Sequence, residues 1–291
     1  MPRQRTLLVR GRRVEPGELL VMGIINRTPD SFYDHGATWD PAAALAAADE
    51  MVEGGADILD VGGVKAGAGD DVSPEEEIRR TAPCVAAVRA RHPEVAISVD
   101  TWRADVARVL LGEGADIVND TWGGWDPALA SVAAEHDAGL VCAHAGGQTP
   151  RSRPHRVAYD DVVADIIETV TGLADRAVAE GVRRERILVD PAHDFGKNTW
   201  HSLEVTRRLG ELVDTGWPVL VALSRKDFLG EVLDLPPGER LEATLAATVI
   251  SALAGARVFR AHDVRATRRV LDVVGAVRGT RPPAAVRRAL A

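Results

Sequence analysis

The sequence is short of cysteine, lysine, asparagine and aromatic residues, and each shortage excludes something. Only two cysteines, Cys84 and Cys142, stand in 291 residues. That number supports neither a disulfide framework nor a thiolate metal site, so a reducing cytoplasm is the expected compartment. No run approaches the ~18 apolar residues that cross a membrane, and the opening MPRQRTLLVRGRR lacks the apolar stretch of a secretory signal. Positive charge is not in excess: the formal net charge is -8, which argues against a nucleic-acid or anionic-membrane partner. No G-x-G-x-x-G follows the first apolar run, which removes the usual dinucleotide fingerprint. Lysine is reduced to Lys65, Lys197 and Lys226 against 32 arginines, and asparagine to Asn26, Asn119 and Asn198. In a chain so biased, a retained Lys or Asn marks a position where the alternative does not fit.

What is present is an alternation of short apolar runs with Ala-rich segments of helical period. Runs at 19–26, 57–63, 96–101, 117–121, 139–144, 187–193, 218–224 and 258–263 are short and mostly continuously apolar, which suits parallel strands buried on both faces. Helical stretches follow at 41–54, 74–91, 104–112, 127–135, 160–180, 202–213, 241–254 and 264–277. Asp40-Pro41, Ser73-Pro74 and Asp126-Pro127 read as an N-cap followed by a first-turn proline. Gly55, Gly114, Gly181 and Gly255 stand where helices should stop. Eight strand–helix units over ~250 residues predict an α/β fold, a single closed (β/α)8 TIM barrel, rather than an open sheet. A hairpin over 1–18 is expected at the barrel floor, the barrel itself over 19–280, and a short basic tail over 281–291.

Barrels of this kind carry their chemistry at the C-terminal ends of the strands. Those ends read Asn26, Asp60, Asp100, Asn119 with Asp120, His144, Asp190 with His193 and Asp194, Ser224-Arg225-Lys226, and Arg260 with His262 and Asp263. A strand-end Asp or Asn also caps the following helix, and Asp120 and Asp263 are open to that reading. Capping does not explain Lys226 and Arg260, nor Asp100, which lies several residues before its helix. A ring of carboxylates and amides suits a heterocycle with several N–H donors, such as a 2-amino-4-oxo ring. Lys226 offers a point charge for a ring carbonyl or imine nitrogen. Arg260 and His262, two apart on one strand, face one side and suit phosphate oxygens. Asn26 adds an oxygen ligand for a hard cation such as Mg2+. Residue types alone leave the class of this small anionic heterocycle open.

The motifs MGIINRTPDSF (22–32), DILDVGG (57–63), ISVDT (97–101), GADIVND (114–120), ILVDPAHDFGK (187–197), LSRK (223–226) and FRAHDV (259–264) resemble those of the dihydropteroate synthase family, in order and across nearly the whole chain. The resemblance implies a (β/α)8 barrel, usually a homodimer. Its activity joins 6-hydroxymethyl-7,8-dihydropterin diphosphate to p-aminobenzoate in folate biosynthesis, releasing pyrophosphate with Mg2+. It implies that Asp190 takes the 2-amino and N3 protons, with Asp60, Asp100 and Asn119 on the pterin side. Lys226 reaches the ring carbonyl and N5, and Asn26, Arg260 and His262 hold the diphosphate and its metal ion. The catalytic residues so implied are Lys226, Arg260 and His262.

Departures gather on the side of the second substrate. The family's G-G-E-S-T-R-P-G loop is replaced by a stretch containing Lys65, Ala66 and Gly67, which removes a Thr and an Arg. Asp227 replaces the Ser that, with the helix N-terminus, receives the aminobenzoate carboxylate, and an acid there repels it. Arg27, His193 and Asp194 add polarity elsewhere. Three functions remain open: a synthase using p-aminobenzoate, a paralogue that binds pterin without turnover, and a pterin transferase using a different amine.

Overall fold

In the computed structural model, which describes residues 6–28, 38–65, 67, 69–152 and 158–288, the apolar runs become parallel strands. An antiparallel hairpin comes first, β1 (Leu7–Val9) with β2 (Arg12–Val14), turning on Arg10 and Gly11 at positive φ. Eight parallel strands follow: β3 (Leu20–Asn26), β4 (Ile58–Gly62), β5 (Ala96–Asp100), β6 (Ile117–Asp120), β7 (Gly139–Ala143), β8 (Ile187–Asp190), β9 (Leu220–Ala222) and β10 (Val258–Ala261). Their order is β8-β7-β6-β5-β4-β3-β10-β9, and the two edges meet where Val189 bridges to Val219. The Val189 N–H donates to the Pro218 carbonyl at 3.0 Å, closing the (β/α)8 barrel expected from the sequence.

Ten helices of the described residues surround it: α1 (Pro41–Glu53), α2 (Pro74–Arg91), α3 (Ala104–Gly112), α4 (Leu129–Glu135), α5 (Val162–Ala179), α6 (Thr199–Arg207), α7 (Leu209–Asp214), α8 (Asp227–Leu233), α9 (Leu241–Ala254) and α10 (Val264–Val277). The capping signals at Asp40 and Ser73 hold: each side chain accepts from first-turn amides. Gly55, Gly114, Gly181 and Gly255 each take the positive φ that ends a helix.

Three local expectations need correction. The segment expected to be helical from Pro127 starts at Leu129, because Asp126 is engaged elsewhere. Its carboxylate accepts from Ala104 N at 2.8 Å, capping α3 from the neighbouring loop, and from Ala128 N at 3.0 Å. The single helix over 202–213 is two helices broken at Arg208, the first starting earlier on an Asn198–His201 capping box. Helix α8 is not among the expected helices, since Gly230 weakens its helical signal. That glycine is required: a Cβ there would collide with the Arg240 guanidinium.

Strand alternation sorts the core into two layers. Outward residues such as Val21, Leu59, Ile97, Val118, Val189 and Phe259 pack with the helices. Inward residues near the strand starts, among them Leu20, Ile58, Ala96, Ile117, Leu220 and Val258, pack with Leu7, Val9 and Val14 of the hairpin. The hairpin is thus the barrel's floor plug. Arginines fasten the loops by their carbonyl oxygens: Arg27 donates to Thr38, Trp39 and Arg80, Arg103 to Val72, Arg225 to Pro237 and Gly238, and Arg257 to Val14 and Glu15. The planar five-donor guanidinium can hold two or three carbonyls at once, which an ammonium on a flexible stem does less well. No helix of the described residues is long and apolar enough to cross a membrane.

Candidate functional site

The same alternation that buries Val99 and Val118 outward points Asp100 and Asn119 into the barrel, above the apolar floor. A cavity of about 480 Å3 opens at the mouth, a size suited to a small ligand. Among its walls are Asn26, Asp100, Asn119, Asp190, Lys226, Arg260 and His262. Asp60, expected on the pterin side, stands back from the wall: it is fully buried beneath Arg260.

Arg260 ties the deep end together. Its Nε donates to Asp60 Oδ2 at 2.6 Å and its Nη2 to Asp100 Oδ2 at 2.9 Å. Asn119 Nδ2 also donates to Asp60 Oδ2, at 3.2 Å, and Thr121 Oγ1 donates to Asp100 Oδ1 at 3.2 Å. Burial pushes the Asp100 carboxyl up to about 7, against the pull of Arg260. Two buried acceptors in this network, Asp60 Oδ1 and Asn119 Oδ1, have no hydrogen-bond partner among the described residues. An acceptor left so costs free energy unless a ligand donor meets it.

Asp190 accepts from Ala192 N at 2.7 Å, and burial raises its pKa while Lys226 opposes the rise. Lys226 donates to the His193 carbonyl and lies 5.1 Å from the Phe195 ring centroid. Burial lowers its pKa, and Asp194 and Asp190 favour its charged form. His262 Nδ1 lies 2.9 Å from Ser224 Oγ.

The second-substrate side differs more from expectation. Asp227 turns its carboxylate, 80% exposed, to Arg240 at 2.7 Å. Asp194 instead reaches the start of α8: its Oδ2 accepts from Asp227 N at 2.8 Å and Phe228 N at 3.4 Å, while Ser202 Oγ donates to its Oδ1 at 3.1 Å. Lys65 lines the cavity, and Arg151 grips the Lys65 carbonyl at 2.5 Å and that of Asp70 at 2.6 Å. Gly67 takes φ +142 in open space; Ala66 lies outside the described residues. Trp122, buried, packs edge-on against Trp102 and Phe195, whereas Trp125 is exposed.

Four strand-end groups face away from the mouth. Asp120 accepts from Trp122 N and Gly124 N, bracing a turn rather than capping the following helix. Asp263 pairs with Arg225 at 2.9 Å and makes no cap with its side chain. His193 is fully buried and its Nε2 lies 3.1 Å from Thr206 Oγ1. His144 forms a chain that the motifs do not reveal. Its Nε2 meets Asp165 at 2.7 Å and its Nδ1 meets Lys197 Nζ at 2.7 Å. The Lys197 ammonium also donates to the carbonyls of His144, Ala192 and Phe195. Burial lowers His144 to about 4, so the neutral ring accepts from Lys197 and donates to Asp165. Burial lowers Lys197 to about 7. Lys197 is marked in the sequence by the scarcity of lysine and by closing the motif at 187–197, but neither signal points to His144.

A closed parallel barrel with amides and carboxylates around Lys226 and Arg260 gives a mouth cavity sized for a small molecule. Similarity to known proteins goes further: residues 22–262 match the family model for pterin binding enzymes, and the chain belongs to that family. It is 56% identical over 285 residues to "Inactive dihydropteroate synthase 2" of Mycobacterium leprae (strain TN), covering 97% of this chain and 98% of that relative. It is 40% identical over 260 residues to the dihydropteroate synthase of Bacillus subtilis (strain 168), covering 89% and 88%. Its fold is similar, with TM-score 0.84 and 36% identity over 94% of this chain and 100% of that one, to the crystal structure of the Thermus thermophilus dihydropteroate synthase in complex with 4-aminobenzoate.

Proposed function

We propose that this chain binds 6-hydroxymethyl-7,8-dihydropterin diphosphate at the barrel mouth and does not transfer it efficiently to p-aminobenzoate. The observation that carries the first half is the pair of orphaned acceptors, Asp60 Oδ1 and Asn119 Oδ1, beside a cavity lined by Asp100 and Asp190. A 2-amino-4-oxo ring brings the N–H donors that such a set lacks. In this reading Asp190 takes the 2-amino and N3 protons, Asn119 and Asp100 the adjacent ring nitrogens, and Lys226 the ring carbonyl and N5. Arg260 and His262 hold the diphosphate, and as charge separates toward pyrophosphate they stabilise it from fixed positions.

The family also implies Mg2+. Among the described residues no group of three His, Cys, Asp or Glu side chains is arranged for a metal ion. The Asn26 amide, neutral and at the cavity wall, offers one oxygen donor. One neutral ligand fits a hard cation that arrives on a diphosphate and keeps most of its waters. Such an ion supplies neutralisation of the leaving diphosphate.

The second half of the proposal is supported by the relative called inactive and by the acidic lining at Asp194 and Asp227. A working synthase is the second reading, favoured by Lys226, Arg260 and His262 standing in one cavity. Pyrophosphate release by the purified protein, with dihydropterin diphosphate and Mg2+, separates the two. Release that depends on p-aminobenzoate establishes the synthase; pterin binding without such release supports the proposal.

A further inference from the structure

Besides Asp100 and Asp190, the acidic residues on the wall of the mouth cavity are Asp194 and Asp227, and Lys226 and Phe195 line it with them. Asp227 is matched by Arg240. Asp194 is matched by something less common, backbone N–H groups at the start of α8, which lie 2.8 and 3.4 Å from its Oδ2. Ser202 anchors it twice, donating to Oδ1 and accepting from the Asp194 N–H, each at 3.1 Å. The loop bends to deliver this carboxylate, with Ala192 at φ 48 and Asp194 at φ 69. For an alanine, the left-handed region is held only when its surroundings enforce it. Lys226 already faces both Asp190 and Asp194.

We infer that Asp194 sets the selectivity of this wall of the cavity: it takes up the α8 amides as an internal carboxylate, so the molecule received beside the pterin is a neutral or cationic aromatic amine rather than one bearing a carboxylate. This rests on the pterin-barrel reading above. Two features of the pocket agree with it. The α8 amides that a ligand carboxylate could use are engaged by Asp194, and a second carboxylate brought to the same wall meets like charge. The loop carrying Lys65 is pinned by Arg151 through backbone carbonyls, and a Cβ on Gly69 would meet the Arg151 guanidinium at 2.5 Å.

The test compares binding of 4-aminobenzoate with that of its neutral counterpart 4-aminobenzamide. The wild type, Asp194→Asn and Asp194→Gly are each titrated in the calorimeter with 6-hydroxymethylpterin, pyrophosphate and Mg2+ present. Asp194→Asn keeps an acceptor for the α8 amides and removes the charge, so it guards against a folding defect. The expected result is a wild-type preference for the amide of about tenfold, with 4-aminobenzoate gaining about tenfold in both variants while the amide stays within about twofold. Equal wild-type affinities, an unchanged ratio in Asp194→Asn, or failure of all three proteins to bind either amine overturns the inference. Binding of 6-hydroxymethylpterin is titrated separately. Its absence overturns the pterin reading, and the amine ratio measured in the empty protein still judges Asp194.

Discussion

Arg260 on the last barrel strand donates to Asp60 on the second at 2.6 Å, reaching past the intervening β3. Asp60 is fully buried, and Asp100 shares the same guanidinium, so one cation holds two acids in a dry lumen. Arg260→Met therefore leaves two carboxylates uncompensated and should cost ~3–5 kcal/mol of stability. The urea midpoint measures this, and Arg260→Met combined with Asp60→Asn should recover part of it. Pyrophosphate affinity should fall in both variants.

The buried Asp100 titrates at about 7 rather than 3.8. A raised carboxyl favours the protonated form in the folded state, so its contribution to stability is full below about pH 3.8 and is lost as pH rises through about 7. Pterin recognition runs the other way, since only the ionised form accepts at both oxygens. Affinity for 6-hydroxymethylpterin should weaken as pH drops from about 8 to about 6. Asp100→Asn should flatten the profile, at lower affinity throughout.

Lys197 has the opposite sign. Its pKa falls from 10.5 to about 7 on burial, so between those values the unfolded chain binds the additional proton. Stability from this residue rises with pH through that window. Denaturation followed between about pH 7 and about pH 9 should show a climb in the wild type that Lys197→Met lacks. The variant should also start lower, having lost its three carbonyl contacts.

Arg151→Ala removes the grip on the Lys65 and Asp70 carbonyls without opening the core. Global stability should change by less than ~1 kcal/mol. Limited proteolysis within 63–72 should accelerate several-fold, while 6-hydroxymethylpterin affinity stays at the wild-type value.

Much of this architecture is legible because its determinants are local or periodic. Short, mostly apolar runs such as 139–143 suit strands covered on both faces, and counting positions two apart places Arg260 and His262 on one side. The seven motifs locate Asn26, Asp100, Asn119, Asp190 and Lys226, which share a cavity. What escapes depends on contacts distant in sequence. Asp126 reads as the cap of its own helix and caps α3 instead. The acidic block expected at Asp227 is turned aside by Arg240, and Asp194, 33 residues earlier, reaches the same amides. No spacing rule joins Lys197 to His144, 53 residues away across two loops.

The fastening of loops by arginine has a consequence for how the molecule responds to its medium. A guanidinium keeps its proton from about pH 5 to about pH 10, so the loops after β3, β4 and β9 are clasped with equal force over that whole span. The segment after β8 is tied in part by Lys197, whose charge halves near neutrality. That segment carries Ala192, Asp194 and Phe195, all on the cavity wall. Acidity therefore reaches the mouth at two places, the Asp100 carboxyl and the segment tied by Lys197, while the loops clasped by arginine do not feel it.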